Sequence, residues 1–311
     1  MWNRGRGTVP CSTPSFFGKI QFMTVNEYLK KTYGCKVYKI ALNGGFTCPN
    51  RDGKLDTRGC IFCSAGGSGD FAEDPKLSIT EQIEAGKKHV AKKISDGKYI
   101  AYFQAFTNTY GPIEKLSALF HEAISHPDIV ILSIATRPDC LDDAVLDLLA
   151  ALNKIKPVWV ELGLQTIHKE TADYIRRDYE LYVYDQAVSA LRSRGIEVIT
   201  HVILGLPGES EKQMLETVQY VVNSKANGIK LQLLHVLKGT DLLTDYEAGL
   251  FDVLSLDEYI HILKECISLL PDDMVIHRLT GDGDKKLLVA PLWSANKKLV
   301  LNRINSEILK K

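Results

Sequence analysis

The feature that most constrains this chain is an alternation. From residue 37 onward, short runs rich in β-branched and apolar residues trade places with amphipathic helical patterns. Residues 37–42, 99–104, 129–135, 158–162, 196–204, 229–234 and 274–277 read as strands. Residues 79–94, 112–125, 141–152, 171–177, 185–194, 211–222 and 257–270 read as helices, with Ser255 a natural N-cap for the last. Strands this apolar are buried on both faces, which points to an α/β fold with a parallel sheet and helical crossovers. Right-handed crossovers carry such a series toward a barrel, complete with eight units or partial with six. In either form the chemistry sits at the carboxyl ends of the strands.

The chain has 311 residues, 45% of them hydrophobic, so it can bury a core without metal or disulfide staples. Any metal it binds is therefore expected to serve chemistry. Seven cysteines, an odd number without a secretory leader, indicate a reducing, cytoplasmic setting. No apolar run reaches the roughly 18 residues that would span a bilayer. Residues 1–22, rich in Gly, Pro and Ser, read as a flexible N-terminal extension; residues 23–240 read as the core, and 241–311 as a C-terminal, substrate-side extension. The net charge is zero, but residues 1–40 and 285–311 each carry seven basic side chains against a single acid. Two basic ends suit a phosphate-bearing partner, although a charge run is commonly a solvated face.

After the first strand comes a loop with the spacing C-x11-C-x2-C, formed by Cys48, Cys60 and Cys63. A CxxC pair lets two thiolates converge on one metal centre, and a Gly- and Asp-rich loop lets the third reach it. Three thiolates on a cubane cluster leave one iron open for small-molecule chemistry. The alternatives are a structural zinc site and a redox dithiol. Zinc wants a fourth ligand, and no His occurs between residues 36 and 88. A redox pair leaves the third Cys unexplained. Cys140 lies far along the fold and is expected to stand apart from the loop; Cys11, Cys35 and Cys266 also lack metal spacing.

The cysteine loop, with Phe62 before its last Cys, resembles the radical S-adenosylmethionine (SAM) superfamily. Its long first spacing is similar to that of the Elongator catalytic subunit and its bacterial relatives. The resemblance runs over roughly residues 24–300, through motifs at Tyr102–Thr109, Ser133–Asp139, Val160–Thr166 and Gly205–Glu209. It implies a partial (β/α)6 TIM-like barrel of the radical SAM type. It also implies a [4Fe–4S] cluster on Cys48, Cys60 and Cys63, with SAM bound at the open iron. Reduction by a donor such as flavodoxin or ferredoxin would then cleave SAM and let it abstract hydrogen from a substrate.

The resemblance nominates Gln104, Asn108, Thr136, Arg137, Gln165, Arg177 and His201 as SAM contacts. Gln104 and Asn108 would face the methionine moiety, yet Asn108 also fits a plain turn. Arg137 would pair with the carboxylate or lie in a surface ion pair. Gln165 matches a ribose contact, and Arg177, twelve residues later, matches a carboxylate-binding arginine with Arg176 as its competitor. His201 stands where some relatives place an aspartate, and a satisfied core histidine is the competing reading. Glu209 reads equally as a helix N-terminal acid. His235, Lys238, His277 and Arg278 are candidate substrate-facing residues. The implied substrate is tRNA, with a carboxymethylaminomethyl group on wobble uridine remodelled toward aminomethyl. No acetyltransferase segment follows residue 300, so the full Elongator-like reaction is not expected. A non-catalytic iron–sulfur or zinc binding module is the alternative.

Overall fold

A computed structural model describes residues 22–67, 69, 72–91, 97–281 and 283–308. Residues 1–21 of the expected flexible extension, Cys11 among them, lie outside the described residues. The chain opens with β1 (Met23–Thr24) and α1 (Val25–Tyr33). Five strand–helix units and a sixth strand follow in series: β2 (Val37–Leu42), α2 (Ile79–Val90), β3 (Lys98–Phe103), α3 (Ile113–Ser125), β4 (Ile129–Thr136), α4 (Asp143–Asn153), β5 (Val158–Gln165), α5 (Lys169–Tyr174), α6 (Leu181–Ser193), β6 (Glu197–Leu204), α7 (Glu211–Asn223) and β7 (Gly228–Leu233). Beyond them lie β8 (Val236–Leu237), α8 (Asp241–Glu247), α9 (Leu256–Ser268), β9 (Val275–Arg278), β10 (Leu288–Ala290) and α10 (Lys297–Glu307).

Local chemistry fixes where several helices begin. Thr24, Ser78, Ser210 and Ser255 each cap a helix in a reciprocal box with Glu27, Glu81, Gln213 and Glu258. Each box satisfies two backbone donors that the first turn would leave unpaired. Pro112 takes the N-cap of α3, one position before the first helical residue expected for it.

All eight strands of the main sheet are parallel, in the order β1-β9-β7-β6-β5-β4-β3-β2. β1 and β2 occupy opposite edges and do not pair, so the curled sheet is a half-barrel, the partial barrel the sequence led us to expect. β9, from beyond residue 240, is part of this sheet.

Helices cover the convex face. Leu116, Phe120, Leu149, Leu191, Val218 and Leu263 pack there against Ile40, Leu132, Val160, Val198 and Ile229. Each such buried side chain contributes roughly 2 kcal/mol of transfer free energy. On the concave face, α1 stoppers the amino-terminal end: Val25, Tyr28 and Leu29 pack on Val37, Ile100, Ile131, Trp159 and Ile199. Above that apolar floor the concave face turns polar, and there a cavity opens.

Candidate active site

Cys48, Cys60 and Cys63 line one cavity of about 240 Å³ at the carboxyl ends of the strands. Backbone bonds curl the loop that carries them. The carbonyl of Cys48 accepts from the amides of Arg51 (2.8 Å) and Asp52 (3.2 Å), and the Gly59 amide donates to Asn50 (2.7 Å). Arg51 Nη2 donates to the carbonyls of Cys63 (2.9 Å) and Ser64 (2.7 Å), clasping the start of the loop to its end. Gly59 sits at φ +78°, and a Cβ there would lie 2.8 Å from Arg51 Nε, so only glycine fits.

The fully buried Asn50 donates Nδ2 to the Arg176 carbonyl (2.7 Å) and lies 3.8 Å from Cys60 Sγ. Ile61 locks the CxxC turn in place. Its side chain joins a cluster with Ile175, Leu206 and Leu242, and its backbone bonds to Ile175 and Leu242. Burial, and after it the neighbouring Cys63 thiol, pushes the Cys60 thiol up to about 12. The cavity lining among the described residues holds no fourth cysteine. The fold brings Cys140 nearer than its sequence separation implies, close enough for the charge of Cys48 to bear on its thiol. Its side chain nevertheless stays outside the cavity lining.

Below the cysteines the cavity ends on a buried polar cluster centred on Glu161 of β5. Oε1 accepts from Lys39 Nζ (2.6 Å) and Ser133 Oγ (2.7 Å), while Oε2 accepts from His201 Nε2 (2.7 Å) and from Lys230 Nζ. Lys230 also donates to Tyr102 Oη at 3.2 Å. Burial alone would raise the Glu161 pKa, but Lys230, Lys39 and His201 together hold it well below the carboxylate range. Burial, then the charge of Lys230, brings His201 down to about 4 against the pull of Glu161. His201 is therefore neutral near pH 7. Because an ionised carboxylate only accepts, its proton sits on Nε2.

The nominated SAM contacts separate into distinct environments. Gln104, Thr136, Arg137, Gln165, Arg177 and His201 all line the cavity. Asn108 does not: fully buried, it donates Nδ2 to the carbonyls of Phe103 (3.1 Å) and Ala135 (2.9 Å), bracing β3 against β4. Thr136 shares its hydroxyl with Thr109 at 2.5 Å. Arg137 forms a buried bidentate pair with Asp139, both bonds at 2.9 Å. Arg177 donates to the carbonyls of Thr166 (2.5 Å), Leu164 (3.4 Å) and Tyr179 (3.0 and 3.2 Å). Both arginines lie near the face of Tyr179. The competitor Arg176 pairs with Asp241 at 2.7 Å. His201 serves Glu161, which is the satisfied-histidine alternative, and it also lines the cavity. Glu209 accepts from Thr166 and so ties the β6–α7 turn to the end of β5.

Gln165 differs from the rest. It adopts φ +68°, a left-handed conformation that costs a residue with a Cβ about 1 kcal/mol or more. Its Oε1, like Asn108 Oδ1, is buried without a hydrogen-bond partner among the described residues, but of the two only Gln165 lines the cavity. Gly163 makes room for it, since a Cβ there would meet Gln165 Nε2 at 2.9 Å. A left-handed backbone and an unsatisfied buried acceptor thus coincide at one residue of the cavity lining.

Lys39, Tyr102, Glu161, Tyr179 and Lys230 were not singled out from sequence. The available signal was a charge inside an apolar strand: Glu161 between Val160 and Leu162, and Lys230 between Ile229 and Leu231.

Comparison with known proteins accords with this geometry. The Radical SAM superfamily profile matches residues 47–221, and the Radical_SAM C-terminal domain matches residues 226–310. The chain is similar to the Bacillus subtilis (strain 168) protein YtqA, 47% identical over 288 residues, covering 93% of this chain and 89% of the relative. It is more distantly similar to the tRNA uridine(34) acetyltransferase of Methanocaldococcus jannaschii, 26% identical over 170 residues, or 54% of this chain and 31% of that protein. Among solved structures, Methanocaldococcus infernus Elp3 superposes with a TM-score of 0.64 at 18% identity, covering 88% of this chain and 64% of that one. More than half of the chain thus matches one family along its strand–helix series, from the cysteine loop through α7: the protein belongs to the radical SAM superfamily.

Proposed function

We propose that this protein is a radical SAM enzyme acting on the side chain of a tRNA wobble uridine, taking a carboxymethylaminomethyl group toward aminomethyl. The observation that carries the enzymatic reading is the convergence of three thiols and the unsatisfied Gln165 on one cavity. Three soft donors, with no fourth cysteine in the cavity lining among the described residues, fit a [4Fe–4S] cluster with an open iron. When bound, that cluster with SAM supplies hydrogen abstraction after reduction by a flavodoxin- or ferredoxin-like donor.

The chain's own residues bind, orient and exclude water. Asn50 and Arg51 fix the cysteine loop, and Gln165 Oε1 offers an acceptor to a ribose hydroxyl. Arg137 and Arg177 line the cavity wall, but Asp139 and backbone carbonyls already engage most of their donors. They therefore position the β4 and β5 ends and add positive potential for the cofactor's carboxylate. His201 holds its proton on Nε2, keeping Glu161 ionised beneath the cavity. Phe62 and Ile203 give the cavity an apolar border.

The tRNA reading draws on the similarity to the uridine(34) acetyltransferase. A second cavity, of about 390 Å³, also supports it. It shares Leu233, His235, Gly281 and Gly283 with the first, and its wall carries Lys285, Lys286, Lys297 and Trp293 against the single acid Asp284. A basic wall with an aromatic suits a nucleic-acid strand. Nucleosides from cells with and without the gene test the reading: carboxymethylaminomethyl uridine should accumulate in the deletion, and unchanged wobble uridines would sink it. In vitro, 5′-deoxyadenosine formation should rise with total tRNA and not with a panel of small metabolites.

A further inference from the structure

The Glu161 cluster holds more positive charge than its carboxylate can balance. Glu161 is fully buried and Lys230 only 2% exposed. A carboxylate offers about four acceptor directions, and Lys39, Ser133, His201 and Lys230 already take four. Neither Lys39 nor Lys230 contacts a second carboxylate among the described residues. Two lysine amines thus share one carboxylate, and the neutral His201 contributes no compensation. Lys39 relieves its share by being one-quarter exposed and by lying over the Tyr102 and Trp159 rings. Lys230 also lies over the Tyr102 ring but has no such exposure, and burial, with the charges of Lys39 and Arg278, lowers its pKa against the pull of Glu161. Its third N–H lacks an acceptor among the described residues, and its ammonium lines the cavity beside Gln232 and Arg278. A buried amine whose charge is not fully compensated is destabilising, and a ligand of opposite charge relieves it.

We propose that Lys230 is the recognition point for an anionic group of the substrate, a carboxylate, entering with that group directed at the cavity floor. The proposal deepens the enzymatic reading above and rests on it only in that a substrate enters this cavity. A phosphate bears the same kind of charge, so the test includes one.

The measurement is thermal unfolding of the reconstituted holoenzyme, saturated with SAM, at constant ionic strength. Acetate, methyl phosphate and acetamide serve as probes. Acetate should raise the midpoint and isosteric acetamide should not, because a desolvated charge-assisted bond is stronger than a neutral one. The paired variant Glu161→Gln with Lys230→Met replaces the ion pair with neutral groups. It should weaken the acetate response roughly tenfold or more, the size of one charge-assisted bond, while Lys230→Arg should keep it. Equal responses to acetate and acetamide, or an acetate response that survives in the paired variant, would overturn the proposal. So would a response that vanishes once SAM is present, which would assign the charge to the cofactor, or a stronger response to methyl phosphate. If acetate behaves as expected but no tRNA supports deoxyadenosine formation, the wobble-uridine reading falls and this assignment stands. Active tRNA with no acetate preference overturns this assignment alone.

Discussion

Replacing His201 by Gln should flatten the acid limb of this protein's stability curve. A free histidine titrates near 6.5, whereas burial and the charge of Lys230 bring His201 down to about 4 in the fold. As pH falls below the unfolded value, the unfolded chain takes up a proton that the native site refuses. The stability this group contributes is therefore complete above about 6.5 and is lost as pH falls toward about 4. Integrated between pH 7 and pH 5, the loss is about 2 kcal/mol. Its side chain is 14% exposed, so solvent screening leaves most of that figure intact. The groups bearing on His201 are Glu161 on β5, which raises its pKa, and Lys230 on β7 and Arg278 on β9, which lower it. Burial also depresses the nearby His277, so the variant keeps part of the acid slope. Gln can still donate to Glu161 Oε2 but has no proton to gain. Urea unfolding of both proteins at the two pH values measures the difference, and the wild type should lose about 2 kcal/mol more than the variant. Parallel losses would refute the claim that His201 is held neutral.

Three further outcomes follow from the same geometry. Cys60→Ala should abolish iron–sulfur absorption at about 400 nm and SAM cleavage after anaerobic reconstitution, whereas Cys140→Ala, outside the cavity lining, should retain both; equal loss in the two would contradict the three-thiol site. Gly59→Ala forces a Cβ into the left-handed region and against Arg51. Thermal unfolding should show about 2 kcal/mol of destabilisation with reduced iron content, and a neutral effect would remove Arg51 as the clasp of the loop. Gln165→Gly should relieve left-handed strain and leave stability unchanged or raised by up to about 1 kcal/mol, while SAM affinity falls; clear destabilisation with unchanged affinity would make Gln165 structural.

Much of the fold was legible because its signals are local. Short, nearly continuous apolar runs mark strands buried on both faces, and a Ser with Glu or Gln three residues on marks a helix start, as at Ser210 and Ser255. The sequence reading did not include β1, α1, β8, β10, α8 or α10. The two-residue strands carry too little periodicity to register, and α1 earns its place by closing the far end of the sheet, which no window of sequence displays. The motif at residues 160–166 nominates Gln165, at its end, rather than Glu161 inside it. Arg137 and Arg177 have the residue type of carboxylate binders, but their partners in the fold are Asp139 and backbone carbonyls. Asn108 occupies a strand end and turns inward to brace it.

What the sequence determined alone was the parallel α/β series, the cysteine loop and its likeness to one superfamily, since each rests on spacing within a few residues or on short-range periodicity. Tertiary structure decided which polar side chains meet. Glu161 joins Lys39 across 122 residues and Lys230 across 69, because strand tilt and curvature bring alternate residues of distant strands onto one concave face. That meeting gathers Lys39, His201 and Lys230 around one carboxylate at the bottom of the cavity, an arrangement no local pattern displays.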